Sequence, residues 1–264
     1  MPTIATWNVN SVKARLPGVL DWLKSFSPDV LLLQEIKCQD ADFPAFEFQA
    51  MGYEVAVHGQ KSYNGVAILS RIGLADILVG LPEHDGPPQS RYIEATVGDR
   101  WRVASIYLPN GNPVCDADGA DSEKFRYKLD WMDCLNAHAR RLLAADRPTI
   151  LGGDYNVIPE PMDCYDPAVW AKDALMRIET RSRFRALLHQ GWTDTGRALN
   201  PEPGLYSFWD YQAGAWSRNL GLRIDFLLAS AEAADALLAA GVDSSPRGKE
   251  KASDHAPAWC RLAG

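Results

Sequence analysis

The sequence predicts an α/β protein in which two packed β-sheets are flanked by helices. Three observations carry this. Strand-like apolar runs alternate with helix-spaced patterns, several strands come in pairs joined by short turns, and no low-complexity linker divides the 264 residues. Mixed strands, hairpins and helices of this kind build layers around a shared core. A single domain spanning residues 1–264 is expected, and no internal repeat is visible.

The elements follow in order. "TIATWNV" reads as a strand and leads into a helix spaced on Leu16, Val19, Leu20, Leu23 and Phe26. "DVLLLQE" is a second strand, and "YEVAV" with "GVAILS" forms a pair. "YIEATV" and "WRVASIYLP" form a hairpin around Gly98 and Asp99. A long helix over 122–145 carries Phe125, Leu129, Met132 and Leu135 on one stripe. "PTILGGDYNV" is a strand, "SRFRALLHQ" a short helix ended by Gly191, and "RIDFLLA" another strand. "AEAADALLAA" reads as a helix ended by Gly241, glycine being the usual left-handed stop. "APAWCRL" closes the chain as a strand. Three polar loops, 82–90, 110–122 and 200–219, are long enough to be either functional or mobile.

Composition sets bounds. At 47% hydrophobic and 23% charged the chain is an ordinary soluble globule. A compact unit of this length buries roughly 75% of its unfolded-chain surface without a metal or disulfide to hold it. No apolar run is long enough to span a bilayer, and "MPTIATWNVN" lacks the basic and apolar regions of a secretory signal. Cys38, Cys115, Cys134, Cys164 and Cys260 are odd in number and form no CxxC, the pattern of reduced thiols in a cytoplasm. The net charge of −7 does not exclude nucleic acid. Salt screens charge over about 8 Å, so a basic face can sit opposite an acidic one.

Polar residues gather where strands end. "TWNVN" ends on Asn8 and Asn10, "LLLQE" on Gln34 and Glu35, "SIYLPNG" on Tyr107 and Asn110, and "ILGGDYNVIP" on Asp154 and Asn156. Residues i and i+2 of an extended chain face the same way, so Asp154 and Asn156 project together. Asp225 opens the strand in "LRID", and Asp254 with His255 borders the last strand in "SDHAP". Ligand sites of α/β sheets collect at such ends. Where these ends meet, four carboxylates crowd together, and like charges at close range disfavour joint ionisation. A divalent cation resolves the conflict. Oxygen ligands with a single histidine suit Mg²⁺ or Mn²⁺ rather than zinc, and Mg²⁺ with carboxylates serves phosphate chemistry.

Each piece alone has a plainer reading. Glu35 caps a buried strand, Asn8 and Asn10 serve turns, Asp254 caps a loop, and Arg223 pairs with Asp225 at an edge. The double glycine before Asp154 points to a close backbone approach. What distinguishes the set is its joint appearance in this order.

The ordered pieces "TWNVNS", "LLLQEIK", "YNGVAILSR", "IYLPNG", "GGDYNV", "YSFWDY", "GLRIDFLLAS" and "SDHAPA" resemble the exonuclease III branch of the endonuclease/exonuclease/phosphatase superfamily. The resemblance runs from Thr3 to Ala258, and "GLRIDFLLAS" with "SFWDY" points to its DNA-repair members. It implies a four-layer α/β sandwich and an Mg²⁺-dependent phosphodiesterase, with Mn²⁺ as a substitute. Such enzymes incise duplex DNA at abasic sites and remove nucleotides or blocking groups from 3′ ends. Nothing in the sequence calls for a membrane, an obligate protein partner or more than a monomer.

By the same resemblance Glu35 is the principal metal ligand, with Asn8 and Asp254 close to the metal and Asp154, Asn156 and His255 completing the metal-side set. Asp154 resembles the residue that positions and deprotonates the attacking water, and Asn156 the amide that stabilises the developing phosphorane charge. His255, oriented by Asp225, resembles the imidazole on the scissile phosphate, and Tyr107 the phenol bonding that phosphate. The converse assignment, with His255 as base and Asp154 protonating the leaving group, suits the same residues.

In the family, apolar side chains at the positions of Phe208, Leu222 and Ile224 line a pocket for an extruded abasic sugar; Trp209 in the same loop is expected to press on the duplex. The plainer reading of these aromatics is a hydrophobic plug that anchors the long loop. Further DNA contacts are expected of Asn10, Arg15, Lys37, Lys61, Arg91 and Asn110, with Lys13, Lys124 and Lys128 as additional cations. Lys124, Arg126 and Lys128 also fit a solvated helix face. Asn110 stands where the family's best-known member has glutamine. Two rivals remain: a phosphoesterase of the same superfamily acting on inositol phosphates or sphingomyelin, and a non-catalytic DNA-binding scaffold. The missing signal peptide and the aromatic loop speak against the first, and the full polar set against the second.

Overall fold

In "VLLLQ" every residue is buried, and successive side chains go to different places: Val30 and Leu32 enter one apolar cluster, Leu31 and Leu33 another. A strand that is apolar on both faces must be covered on both. The computed structural model, which describes residues 1–264, shows how. The strands are β1 (Thr3–Asn8), β2 (Val30–Gln34), β3 (Glu54–His58), β4 (Val66–Ser70), β5 (Leu74–Val79) and β6 (Tyr92–Val97). They continue as β7 (Trp101–Tyr107), β8 (Thr149–Asp154), β9 (Thr193–Asp194), β10 (Asp225–Ala229), β11 (Leu237–Val242) and β12 (Ala258–Leu262). The helices are α1 (Val12–Phe26), α2 (Ala45–Gln49), α3 (Glu123–Ala144), α4 (Pro167–Trp170), α5 (Ile178–His189), α6 (Thr195–Leu199) and α7 (Ala231–Ala234).

Two six-stranded sheets result, ordered β11-β12-β1-β2-β4-β3 and β5-β6-β7-β8-β10-β9. Ile4, Leu32, Ile68, Ile93, Val103, Ile150 and Leu227 fill the space between them. α1 covers the outer face of the first sheet through Val19, Trp22 and Leu23. α3 and α5 cover the second through Trp131, Met132, Leu135, Phe184 and Leu187. This is the expected helix–sheet–sheet–helix sandwich. Ser122 starts α3 by accepting a hydrogen bond from the Phe125 amide on its side chain. No helix is long and apolar enough to cross a membrane.

The sheets share one pairing scheme. Reading inward from β12 or from β10, an antiparallel pair is followed by a parallel one, β1 with β2 and β8 with β7. Antiparallel pairs to β4 or β6 then follow in each. The double glycine of β8 belongs to this packing. A Cβ on Gly153 would lie 1.9 Å from the Ile106 carbonyl, and one on Gly152 would lie 2.5 Å from Leu32 of the facing sheet. The close approach expected there is to neighbouring strands.

Three strands, β5, β9 and β11, are absent from the sequence reading, and one expected helix is wrong. "AEAADALLAA" turns only once as α7, and Leu237–Val242 pairs with β12 as an edge strand. Ladder hydrogen bonds to β12 outweigh the helix propensity of alanine, a weak local preference. Gly241 is therefore a strand residue whose Cα faces the Trp259 ring.

Glu94, a few per cent exposed, lies under α3 with Arg102 at 2.5 Å, His138 at 2.9 Å and the Tyr92 hydroxyl. Burial would raise its carboxyl, but hydrogen bonds from His138, Arg102 and Tyr92, with the Arg102 charge, hold it down at about 2 against an ordinary 4.5. The stabilisation is therefore complete above pH 4.5 and lost as pH falls toward 2. Urea denaturation of wild type and Glu94→Gln should show a gap on the order of 3 kcal/mol at neutral pH. That gap should close across this acid window; a gap independent of pH contradicts the account.

Candidate active site

Strand register sets the site. Register places Asn8 beside Gln34 at one end of the first sheet, and Tyr107 and Asp225 on either side of Asp154 at the matching end of the second. Gln34 turns into the inter-sheet core, bonded to Ser105 and the Leu32 carbonyl, and takes no part in the site. The next residue, Glu35, does. Its backbone takes a left-handed φ of 49°, shared by Asn10 at 45° and Asn156 at 47°. Such conformations cost energy in non-glycine residues and concentrate at functional sites.

Asn8 joins the sheets. Fully buried, its Nδ2 donates to Oε1 of Glu35 at 2.8 Å and to Oδ2 of Asp154 at 2.9 Å, while its Oδ1 accepts from the Asn10 amide. Asp154 also accepts on Oδ1 from the Asn156 amide at 2.9 Å. Nδ2 of Asn156 donates to the Leu108 carbonyl and its Oδ1 accepts from Asn110 at 3.2 Å, leaving one amide proton for a ligand. His255 donates through Nδ1 to Oδ2 of Asp225 at 2.9 Å, and its Nε2 lies 3.8 Å from Oδ2 of Asp154. Asp254 accepts from Asn10 at 3.1 Å. The strand ends thus bring Asn8, Glu35, Asp154, Asn156, Asp225, Asp254 and His255 to one edge of the sandwich, with the Tyr107 phenol beside Glu35.

Charge is concentrated here. Burial pushes the Asp154 carboxyl up against the pull of His255, and the Asp225 charge adds to the rise, to about 7. Burial alone would lower the His255 imidazolium, but Asp225 and Asp154 together outweigh it and raise it to about 10. Burial would raise Glu35 too, yet hydrogen bonds from Asn8 and Lys37 and the Lys37 charge hold it below the usual range. Burial, then the Glu35 charge, lifts the Tyr107 phenol.

The donors fit a hard divalent cation. Carboxylate and amide oxygens dominate, one imidazole stands among them, and no thiolate does. Oxygens of Asp154 and Asp225 and a ring nitrogen of His255 lie within 4.8 Å of one another, and Oδ1 of Asp225 is buried without a partner. The Lys37 ammonium, 2.8 Å from Glu35 and 2.6 Å from Oδ1 of Asn10, shows that this corner attracts positive charge.

The expected DNA contacts separate. Lys61 and Asn110 are exposed, Arg15 bonds the Tyr211 hydroxyl, and Arg91 stacks over Tyr107 at 4.7 Å. Lys13 pairs with Asp42 at the surface, Lys124 is exposed, and Lys37 is turned inward. Phe208 packs edge-on against the His255 ring at 4.9 Å, backed by buried Leu222 and Ile224. Two expectations fail. Trp209 is only 4% exposed, its indole bonded to Asn219 and its ring against Trp216, so it anchors the loop and does not press on a duplex. Lys128 is fully buried and donates to the carbonyls of Asn110 at 3.0 Å and Asn156 at 2.6 Å, so it belongs neither to a phosphate surface nor to a solvated face. Burial pushes its ammonium down to about 7. Arg223 pairs with Asp163 and Asp194, not with Asp225.

Lys128 is thus a site residue misplaced by sequence reasoning, and Trp7 and Ser253 are others it missed. Trp7 donates its indole to the His255 carbonyl at 3.0 Å, and Ser253 ties the Asn8 carbonyl to the His255 amide. Only Lys128 carried a signal: its spacing from Phe125 and Trp131 places it on the buried stripe.

A model of the Endonuclease/Exonuclease/phosphatase family matches residues 5–255. The chain is similar to exodeoxyribonuclease III of Haemophilus influenzae, 30% identical over 267 residues that cover 97% of this chain and 98% of that protein. Among solved structures it is similar to the 3′ phosphatase NExo from Neisseria bound to a product DNA hairpin, with a TM-score of 0.94, 40% identity and full coverage of both chains. It is also similar to an AP endonuclease from Archaeoglobus fulgidus, with a TM-score of 0.92, 35% identity and 99% coverage of each.

The anchoring role of Trp209 is testable without any substrate. Trp209→Ala should lose roughly 3–5 kcal/mol of unfolding free energy, the range for emptying a buried tryptophan site. An unchanged urea midpoint contradicts it.

Proposed function

The chain belongs to the Endonuclease/Exonuclease/phosphatase family, and we propose that it is an Mg²⁺-dependent nuclease of DNA repair, acting on duplex DNA at abasic sites and at 3′ ends. The observation that carries this reading is the convergence of Glu35 and Asp154, bridged by Asn8, with the Asp225–His255 pair at one edge of the sandwich. Its likeness to a 3′ phosphatase and to an AP endonuclease supports the two kinds of substrate end. Five unbridged thiols support a cytoplasmic setting, and a monomer suffices for the site.

Glu35, with Asp154 joined to it through Asn8 and Asp254 bonded to Asn10 nearby, would hold Mg²⁺ or Mn²⁺. A bound ion supplies Lewis-acid polarisation of a phosphoryl oxygen and charge for the transition state. The chain's own residues do the rest. Asp154, fixed by Asn8 and the Asn156 amide, aims a carboxylate oxygen at water and takes its proton. The free amide proton of Asn156 faces charge as it develops on the phosphorane, a contact made strong by burial. His255 presents Nε2 to the scissile phosphate while Asp225 holds its other nitrogen. Tyr107 offers its phenol to the same phosphate. Phe208, on the His255 ring with Leu222 and Ile224 behind it, gives an extruded abasic sugar an apolar seat. A missing base lowers the unstacking cost of reaching it.

The test uses a labelled duplex with one internal abasic analogue beside an intact blunt-ended duplex of the same sequence. With Mg²⁺ or Mn²⁺ a single incision is expected at the abasic position and a ladder from the 3′ end of the intact duplex, both abolished by EDTA. Asp154→Asn and Asn156→Ala should each lose at least about 10²–10³ in rate while remaining folded. Phe208→Ala should narrow the preference for abasic over intact DNA without changing metal affinity. Cleavage that survives EDTA, or near-wild-type turnover of Asp154→Asn, sinks the proposal.

A further inference from the structure

Asp225 has two carboxylate oxygens, and the structure uses one. Oδ2 accepts from Nδ1 of His255 at 2.9 Å and from Oγ of Ser207 at 2.6 Å, whereas Oδ1 has no partner. With one oxygen free, a carboxylate turns about its last bond unless something selects a rotamer. Donor accounting shows what does. A serine hydroxyl carries one proton and two lone pairs. Oγ of Ser207 lies 3.2 Å from the Ile224 amide and 3.1 Å from the Asp225 amide, and both are donors. Its lone pairs are filled, so its proton has one destination, Oδ2 of Asp225. The serine is itself fixed: it is fully buried, its amide donates to the Leu222 carbonyl at 2.8 Å, and its carbonyl accepts from the Ala256 amide at 2.7 Å.

We propose that Ser207 is the positioning residue of the Asp225–His255 pair. Its hydroxyl locks the carboxylate with Oδ2 toward Nδ1, which keeps a proton on Nδ1 and turns Nε2 toward Asp154 and the substrate. The next residue, Phe208, packs its ring on the same imidazole. One dipeptide of the long aromatic loop thus sets both the hydrogen bonding and the tilt of His255. The simpler role, a cap for two backbone amides, makes a different forecast: losing the hydroxyl would lower stability and leave the imidazole alone. The inference rests on the nuclease reading, and its test separates the two.

Wild type, Ser207→Ala and Ser207→Thr are compared in two measurements. The first is steady-state cleavage of the abasic duplex. The second is the Nδ1–H proton resonance of His255 in metal-free protein, assigned by its loss in His255→Gln. Ser207→Ala should lower kcat about 10–100-fold with KM within about twofold, the scale on which orienting partners act, and should shift or broaden the Nδ1–H signal. Ser207→Thr should restore both. If Ser207→Ala does not fold by circular dichroism, Ser207→Cys, which keeps a side chain of similar shape with a weak donor, replaces it with the same expectations. A kcat within about twofold of wild type, or an unmoved Nδ1–H resonance, overturns the proposal. Wild type that fails to cut while the resonance behaves as expected overturns the nuclease reading and leaves the positioning role standing.

Discussion

Nδ2 of Asn8 donates to Glu35 at the end of its own sheet and to Asp154 at the end of the facing one. Two separately paired sheets become one site at this amide. A carboxamide can do this because it offers two protons without adding a charge, whereas a lysine there would neutralise the carboxylates. The geometry it requires begins deeper in the sandwich. Gly152 and Gly153 remove the side chains that would hold Leu32 and Ile106 away. With the sheets this close, Asn8 at the end of β1 and Asp154 at the end of β8 meet.

That meeting gathers more negative charge than burial tolerates. Burial with the Asp225 charge pushes the Asp154 carboxyl up, and Asp225 with Asp154 raises the His255 imidazolium. A divalent ion held here would relieve the same tension, since it would favour the ionised carboxylates that burial opposes. Behind the site three neutral donors, Trp7 on the His255 carbonyl, Ser253 between Asn8 and His255 and Ser207 on Asp225, share the holding with one buried amine, Lys128, on the Asn110 and Asn156 carbonyls.

Much of this was legible in the sequence, for a definite reason. Strands apolar on both faces announce a layered sandwich, and most polar residues at the ends of such runs reach the rim, Gln34 being the one that turns inward. Asn8, Tyr107, Asp154 and Asp225 were found that way. What escaped depends on tertiary partners. Leu237–Val242 is helical by composition and a strand only because β12 needs an edge partner. Trp209 looked like a tool for DNA because nothing local shows that Trp216 and Asn219 enclose it. The left-handed turns at Glu35 and Asn156 carry no glycine to mark them. Lys128 was misplaced because its charge was weighed above its spacing. Ser207 was passed over because a serine among aromatics says nothing until its three hydrogen bonds are seen.

The pairing order has one more consequence. The second sheet is built from a continuous stretch of chain, β5 to β10, while the first waits for β11 and β12 to return beside β1. In chain order every strand of the second sheet precedes β12, the antiparallel neighbour that β1 needs on its other side. Asp254 and His255 arrive only with that final strand. Glu35 and Asp154 therefore lie far upstream of the imidazole in the chain, and the site is joined only where β12 closes back on β1.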